Sequence, residues 1–188
     1  MIATPGWDDD SRTPKLRTMI MADASNGKNG GKQHSEEQVG PPVEAQVVAQ
    51  YIKDLSFENP NIGKLIGGPG ENPNLKLEVN VNAQRMGSDL YESAIDFKAH
   101  ATSQLGTIYI FEVVYAGMFK IKNIPEPALE PFLLINCPSL LFPFLRRLAA
   151  DITREGGFPP LLLDPIDFGG LFMRRQQEQA AAADRPKS

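Results

Sequence analysis

The feature that most constrains this chain is a long apolar stretch over residues 135–173, because it contains one clear helical period. Between positions 141 and 152, apolar side chains recur three or four residues apart, as on one face of an amphipathic helix. Gly156 can end that helix in a left-handed conformation, and Pro143 requires its regular part to begin nearby or to bend there. The sequence therefore predicts a helix over residues 143–155. Its apolar stripe consists of Leu141, Leu145, Leu148 and Ile152.

The same stretch holds more large apolar residues than one helix needs for one core. Leu140, Phe142 and Phe144 lie largely off the stripe. One interpretation is that they pack inside the subunit. The other is that they contact a second subunit or line a ligand groove, because monomers rarely expose that much apolar surface without using it. The sequence alone leaves both open.

Upstream, polar and apolar residues alternate in the way that is typical of half-buried strands. Residues 75–82 show the clearest alternation, with apolar side chains on one face and Lys, Glu and Asn on the other. Residues 91–99 follow after a short turn, and residues 44–54 form a candidate first strand, which a long Gly-rich loop over residues 61–74 separates from the second. The short turns between the later strands predict an antiparallel meander.

The last predicted strand, residues 107–116, is apolar on both faces. One face carries Tyr109 and Phe111, and the other carries Ile110 and a single acid, Glu112. A sheet with one solvated face should not show this pattern. One explanation is a central strand that is covered on both sides. The functional explanation is a docking surface, in which an apolar patch containing an acid meets a basic partner.

Composition excludes several classes of function. The net charge of −4 argues against nucleic-acid binding. A single cysteine, Cys137, excludes an internal disulfide, and two histidines, His34 and His100, argue against a metal site within one subunit. Uninterrupted apolar runs fall short of the about 18 residues of a membrane span. We therefore expect a cytoplasmic protein with no membrane insertion. Because the inward strand faces carry no convergent acid, base or histidine, we also expect no catalytic or metal-binding residues and no cofactor.

The chain divides into one domain and two tails. Residues 1–42 are too polar and Gly-rich to bury a core, which predicts a disordered N-terminal tail. Residues 43–179 hold all the periodic segments and are predicted to form the domain. Asp167 is a candidate cap for a last helix that runs to about Ala183, and residues 180–188 are predicted to be a disordered C-terminal tail.

Several strings in this chain resemble SecB, the bacterial protein-export chaperone. The resemblance covers about residues 43–179 and is most specific in the apolar stretch. The matching strings are Tyr51-Ile52-Lys53-Asp54-Leu55-Ser56-Phe57-Glu58-Asn59-Pro60, Asn136-Cys137-Pro138-Ser139-Leu140-Leu141-Phe142-Pro143, Arg154-Glu155-Gly156-Gly157-Phe158-Pro159-Pro160-Leu161 and Leu171-Phe172-Met173. The resemblance implies an α+β fold with a four-stranded antiparallel sheet, a meander or Greek key, and helices on one face. It also implies a homotetramer built as a dimer of dimers that packs through the long helices, with the stripe Leu141, Leu145, Leu148 and Ile152 as the candidate interface.

The resemblance also implies two working surfaces. The family's residues for docking the motor ATPase SecA fall on Asp54, Glu58, Ile110 and Glu112. A groove between sheet and crossover segment is implied for extended, unfolded clients, and each candidate for it could equally be an ordinary core residue. The groove candidates are Leu75, Leu77, Val79, Tyr109, Phe111, Phe132 and Phe142.

The predicted function is holding rather than catalysis. The chain is expected to be an ATP-independent holdase that binds unfolded preproteins and delivers them to SecA for export. The alternative is a non-chaperone adaptor that binds a folded partner through the face of the last strand. Two departures from the family affect these expectations: the loop over residues 61–74 lacks an aromatic residue, and the C-terminal tail carries basic residues.

Overall fold

The computed structural model describes residues 41–183 except 69 and 72. The predicted N-terminal tail therefore lies outside the described residues apart from its last two positions. The strands are β1 (Glu44–Glu58), β2 (Asn74–Arg85), β3 (Leu90–Ser103) and β4 (Gly106–Lys122). The helices are α1 (Ile62–Leu65), α2 (Glu126–Pro131), a π-helical turn (Phe132–Asn136), α3 (Cys137–Glu155) and α4 (Phe168–Ala183).

The four strands form one antiparallel sheet in the order β1-β4-β3-β2. Strands β2, β3 and β4 are joined by short turns, and the longer β1–β2 connection returns β2 to the far edge, which is a Greek-key arrangement. Gly106 in the β3–β4 turn has a φ of 109°, a conformation that glycine adopts without strain. The predicted four-stranded antiparallel sheet with helices is confirmed.

The predicted first strand ended too early. It was expected to stop at Asp54, but β1 continues to Glu58, and its pairing with β4 shifts register between Val47 and Ala49 and again between Ile52 and Asp54. Each shift adds one residue to β1 and reverses the alternation of faces. A period-two pattern read from one end of such a strand loses its phase at the shift.

The predicted loop over residues 61–74 also contains one short helix, α1. The last helix runs to Ala183, as expected. Asp167 caps its start: the backbone N–H of Gly170 donates to Asp167 Oδ1 at 2.9 Å, and the N–H of Leu171 donates to the Asp167 carbonyl at 3.1 Å. This helix extends four residues into the segment over residues 180–188 that was predicted to be disordered.

The long helix begins earlier than predicted. The expected start was near Pro143, but α3 begins at Cys137 and holds Pro143 in its interior. Helix α2, the π-helical turn and α3 follow one another without a break. The turn lies between Pro131 and Pro138, which have no backbone N–H to donate, and its wider hydrogen-bonding pattern accommodates this. The whole run, Glu126–Glu155, is long and apolar enough to cross a membrane by length and composition alone, a test that core helices also pass.

The helices pack on one face of the sheet, here called the inner face; the opposite face is called the outer face. Gly117 on β4 leaves the space that Leu141 of α3 fills: a Cβ there would lie 2.7 Å from Leu141 Cδ2. Phe57 and Tyr109 stack with ring centroids 5.6 Å apart, and Phe158 lies 5.2 Å from Tyr109. The core thus lies between the inner face of β1, β3 and β4 and the buried side of α3.

Candidate functional site

The outer face brings the four predicted docking residues together. Glu58 is the register partner of Ile110, and Ser56 is the partner of Glu112. Paired residues in an antiparallel sheet share a face, and this is the outer one because the neighbouring pair, Phe57 and Phe111, belongs to the core. We call Asp54, Glu58, Ile110 and Glu112 the acidic face.

Asp54 reaches this face because of the second register shift in β1. Ile52 pairs with Tyr115 on the inner face and Asp54 pairs with Val114 on the outer face, so Lys53 is the extra residue between them. Without this bulge, strict alternation would turn Asp54 towards the helices. The carboxylates of Asp54 and Glu58 belong to exposed residues, whereas Ile110 and Glu112 are half-buried.

Glu112 is not a solitary acid. Its Oε1 accepts a hydrogen bond from Lys98 Nζ at 3.1 Å, and the two residues are register partners on β4 and β3. This hydrogen bond and the charge of Glu112 raise the pKa of Lys98. Glu78 on β2 is the register partner of Lys98 on its other side, so acid, base and acid alternate across three strands. Lys98 is not among the docking residues predicted from the sequence.

A second polar cluster, also absent from the sequence predictions, lies on the outer face around Glu92 of β3. Its carboxylate is only 5% exposed. Oε1 accepts from Lys53 Nζ and from Gln84 Nε2, both at 2.7 Å, and Oε2 accepts from the Tyr51 hydroxyl. We call Tyr51, Lys53, Gln84 and Glu92 the Glu92 cluster. In the sequence, Glu92 is one more acid on the polar face of a strand, and its burial becomes visible only through the pairing of the strands.

The electrostatics of the Glu92 cluster favour the ionised acid. Burial raises the pKa of Glu92, but the hydrogen bonds from Lys53, Tyr51 and Gln84 together outweigh burial and hold that pKa below its usual value. The same contact acts oppositely on the phenol: the hydrogen bond to Glu92, with burial and the carboxylate charge, raises the pKa of Tyr51 to about 12. The cluster is therefore a phenol, an ammonium and an amide that donate to one carboxylate.

The predicted groove residues separate into two groups. Leu75 and Leu77 on the edge strand β2 are 42% and 45% exposed although they lie on the inner face, and Val79 and Phe132 are half-buried. Val79 also lines a cleft of about 370 Å³ between β2 and the helical layer. The other members of that lining are Asn80, Val81, Asn82, Asp96, Leu134, Leu171 and Arg175.

The remaining groove candidates, Tyr109, Phe111 and Phe142, form the second group. All three are buried, and Phe111 has no exposed surface at all. Tyr109 and Phe111 lie on β4, which has a strand on each side and α3 above it, so the helical layer covers their inner face. Their burial in the single chain favours the interpretation as ordinary core residues.

The residues of the predicted tetramer stripe differ in their exposure within the single chain. Leu141 and Leu145 are fully buried within the chain and have no surface left for a second subunit, whereas Leu148 and Ile152 are half-buried. The exposed apolar residues of α3 are two that lay off the stripe, Leu140 at 53% and Phe144 at 43%. The stripe was identified correctly as a helix face, but it faces the sheet.

Cys137 is a buried core residue. Burial raises the pKa of its thiol to about 12, so the thiolate that nucleophilic chemistry needs is disfavoured. Among the residues that the structure describes, no three His, Cys, Asp or Glu side chains come together to hold a metal ion.

Exposed apolar side chains of the edge strand β2 on the inner face of the sheet, with a charged outer face, are typical of a protein-binding module. The comparisons with known proteins give the family. A model of the family described as "Preprotein translocase subunit SecB" matches residues 36–179. The chain belongs to the SecB family, and the role predicted from the sequence, a chaperone in preprotein export, is the role of that family.

Individual relatives agree. A protein-export protein SecB from Parvibaculum lavamentivorans is 45% identical over 166 residues, which is 86% of this chain and 96% of that protein. The one from Rhizorhabdus wittichii is 49% identical over 138 residues, which is 73% and 82%. Among solved structures, the SecB-like chaperone of Mycobacterium tuberculosis, in complex with a ChAD peptide from the HigA1 antitoxin, matches with a TM-score of 0.52 at 16% identity. The match covers 65% of this chain and 90% of that one, and it supports the fold.

Proposed function

We propose that this chain is an ATP-independent holdase that binds unfolded precursor proteins and delivers them to the SecA motor. One observation carries the proposal: the exposed apolar residues of β2 lie on the inner face of the sheet, and the acidic face lies on the outer one. Two ligands of different chemistry can therefore bind one small sheet without competing for the same side chains. Handing a client to a motor needs this separation.

Client binding is assigned to the open edge at Leu75 and Leu77. Apolar burial is non-directional and contributes roughly 25 cal/mol per Å² removed from water, which suits a surface that accepts many sequences. Two such side chains supply only weak binding after the cost of ordering the client. Several copies of the edge on one assembly, bound by one unfolded chain, raise the overall affinity without any new contact.

Motor docking is assigned to the acidic face. Asp54 and Glu58 supply exposed negative charge, and Ile110, the register partner of Glu58, supplies a half-buried apolar side chain one row from Glu112. Such a surface complements a basic partner. Lys98 already neutralises part of the charge of Glu112, so docking requires the partner to compete with an internal ion pair.

The assembly is assigned as a homotetramer, a dimer of dimers. Strand β1 is an edge strand with exposed Val47, Val48 and Ile52, and a long apolar edge usually pairs with another chain or is covered. Leu140 and Phe144 on α3 form a second uncovered apolar surface. Sedimentation should give a tetramer; a stable monomer at micromolar concentration would remove both the assembly and the avidity argument.

The docking assignment is tested by charge reversal with a matched control. Glu112→Lys should weaken SecA binding strongly while binding of an unfolded precursor is unchanged, and titration calorimetry measures both. The control is Glu78→Lys, because Glu78 is the other acidic neighbour of Lys98 but lies two strands away from Glu112. Equal loss of SecA binding in both variants would show that net charge, not the acidic face, controls docking.

The client assignment is tested at β2. Leu75→Asp combined with Leu77→Asp should weaken binding of a denatured precursor at least about tenfold, from the apolar area that two leucines lose, while SecA binding persists. The wild-type chain decides the alternative: an adaptor would bind SecA but ignore the denatured precursor. That outcome would refute the holdase.

A further inference from the structure

The acidic face depends on one irregularity in an edge strand. Asp54 lies on the outer face because Lys53 is inserted as an extra residue between two register pairs. Strand β1 is hydrogen-bonded to β4 on one side only. A shift of the bulge by one residue would exchange the faces of the residues it passes. Its position is therefore set by contacts within the chain, by the pairing with a second subunit proposed above, or by both.

The Glu92 cluster holds the two residues that bracket this irregularity. Tyr51 lies before the shift and Lys53 is the inserted residue itself, and both donate to the same carboxylate. That carboxylate belongs to β3, which is not adjacent to β1. The contact therefore spans β4 and ties the bulge to the centre of the sheet rather than to its own neighbour.

The side chains beneath this span are small. The register partner of Tyr51 on β4 is Ala116, and the partner of Ala116 on β3 is Ala94. Both alanines are buried although they face outwards. The small side chain of Ala116 leaves room beside Tyr51 for the phenol to cross β4 diagonally and reach Glu92, whose own partner on β4 is Met118.

The far end of the cluster is fixed as well. Gln84 on β2 is the direct register partner of Glu92 and donates to it at 2.7 Å. A carboxylate that is 5% exposed is stable as an anion only when it is paired. Displacing the bulge would remove the ammonium and the phenol together and leave Gln84 as a neutral partner, so the cluster disfavours every other bulge position.

We propose that Glu92 is a positioning residue for motor docking: through Tyr51 and Lys53 it fixes the bulge in β1 that turns Asp54 to the outer face. This inference rests on the proposed docking function for its consequence. Its structural half, the fixed bulge, stands on the hydrogen bonds alone. Glu92 itself is too buried to contact the motor.

The experiment is a double-mutant cycle on SecA affinity, using the full-length chain. Glu92→Gln should weaken SecA binding about five- to twentyfold, and Asp54→Asn by a similar factor. If Glu92 acts through Asp54, the double variant should bind no more weakly than Asp54→Asn alone, since the two changes then share one interaction. Multiplication of the two factors would mean independent action and would overturn the proposal.

The matched control is Asp96→Asn. Asp96 lies on the same face of β3 and shares the register partner Val114 with Asp54, so it is in the same cross-strand row as Asp54. Asp96→Asn removes one negative charge, as Glu92→Gln does. Binding within about twofold of wild type is expected, and a loss equal to that of Glu92→Gln would show that long-range charge alone explains the effect.

Amide hydrogen exchange separates this inference from the function on which it rests. In Glu92→Gln the amides of residues 53–56 should exchange faster, while those of the β2–β3 pairing stay protected; unchanged exchange at residues 53–56 would refute the positioning role. If Glu112→Lys and Asp54→Asn leave SecA binding intact, the docking assignment fails, but exchange still decides the bulge. Should Glu92→Gln not fold, Lys53→Met removes the hydrogen bond between the inserted residue and Glu92 and takes its place in the cycle.

Discussion

Thr153 near the end of α3 makes two hydrogen bonds that its isostere valine cannot make. Its side chain is fully buried. The hydroxyl donates to the Ala149 carbonyl at 2.8 Å and accepts from the backbone N–H of Leu161 at 2.8 Å. The second bond attaches the segment after the helix to the helix itself. Thr153→Val keeps the shape of the side chain and removes both bonds.

The expected cost follows from the group that is left unpaired. A buried N–H without an acceptor costs about 1–3 kcal/mol, and the hydroxyl's own bond contributes about 1 kcal/mol. Replacing a hydroxyl by a methyl group in the core returns roughly 1 kcal/mol of apolar burial. The net destabilisation of Thr153→Val is therefore about 1–3 kcal/mol. Thr153→Ser keeps both bonds and loses one buried methyl, about 1 kcal/mol.

Urea unfolding at one fixed protomer concentration measures the free energies, because assembly makes apparent stability concentration-dependent. Hydrogen exchange distinguishes the two variants where their stabilities overlap. The Leu161 amide should lose protection in Thr153→Val and keep it in Thr153→Ser. A valine variant as stable as wild type, with a protected Leu161 amide, would refute the reasoning.

Three further predictions follow from single contacts. Gly156→Ala should destabilise by about 1–3 kcal/mol in urea unfolding, because a Cβ there would collide with the ring of Phe57 although the backbone φ of −70° suits alanine. Stability should fall as pH rises from 10 to 12, since Tyr51 holds its proton in the folded state up to about 12 and loses it near 10.0 when unfolded; Tyr51→Phe should remove that part of the slope. If the proposed tetramer packs through α3, Phe144→Asp should give smaller species in sedimentation without lowering helix content, because the Phe144 side chain is exposed in the single chain.

The sheet was largely predictable from sequence because β2 and β3 alternate without interruption. The alternate residues Leu75, Leu77, Val79 and Val81 share one face, as the pattern indicated. Residues 75–81 pair with residues 101–95 of β3 in unbroken register. Strand β1 was less predictable. Its first bulge reverses the phase and its second restores it, so the alternation read near Ala45 fails at Tyr51 and holds again at Leu55. A bulge has no reliable signature in a single sequence, because it depends on how the strand pairs.

The division between core and exposed apolar residues was not predictable for a different reason. Leu77 and Phe111 are both apolar residues on the inner face, yet one is nearly half exposed and the other is sealed. What distinguishes them is strand order: β2 is at the edge and β4 is inside. The sequence predicts faces through local periodicity, whereas edges follow from topology. The same limit applies to α3, where Leu141 and Leu140 differ only in which way the helix is turned against the sheet.

Glu92 was missed because periodicity assigns a residue to a face but says nothing about what crosses that face. An acid on the polar side of a strand is normally solvated, and only the register reveals that Ala94 and Ala116 lie beside it and leave room for a side chain from a strand two places away. The small residues would have been the usable signal, since alanine on a solvated strand face is otherwise disfavoured. Reading that signal requires the pairing of β1 with β4, which in turn depends on the bulge that Glu92 is inferred to hold. The burial of Glu92 and the bulge in β1 therefore depend on each other, and neither could be deduced from the sequence without the other.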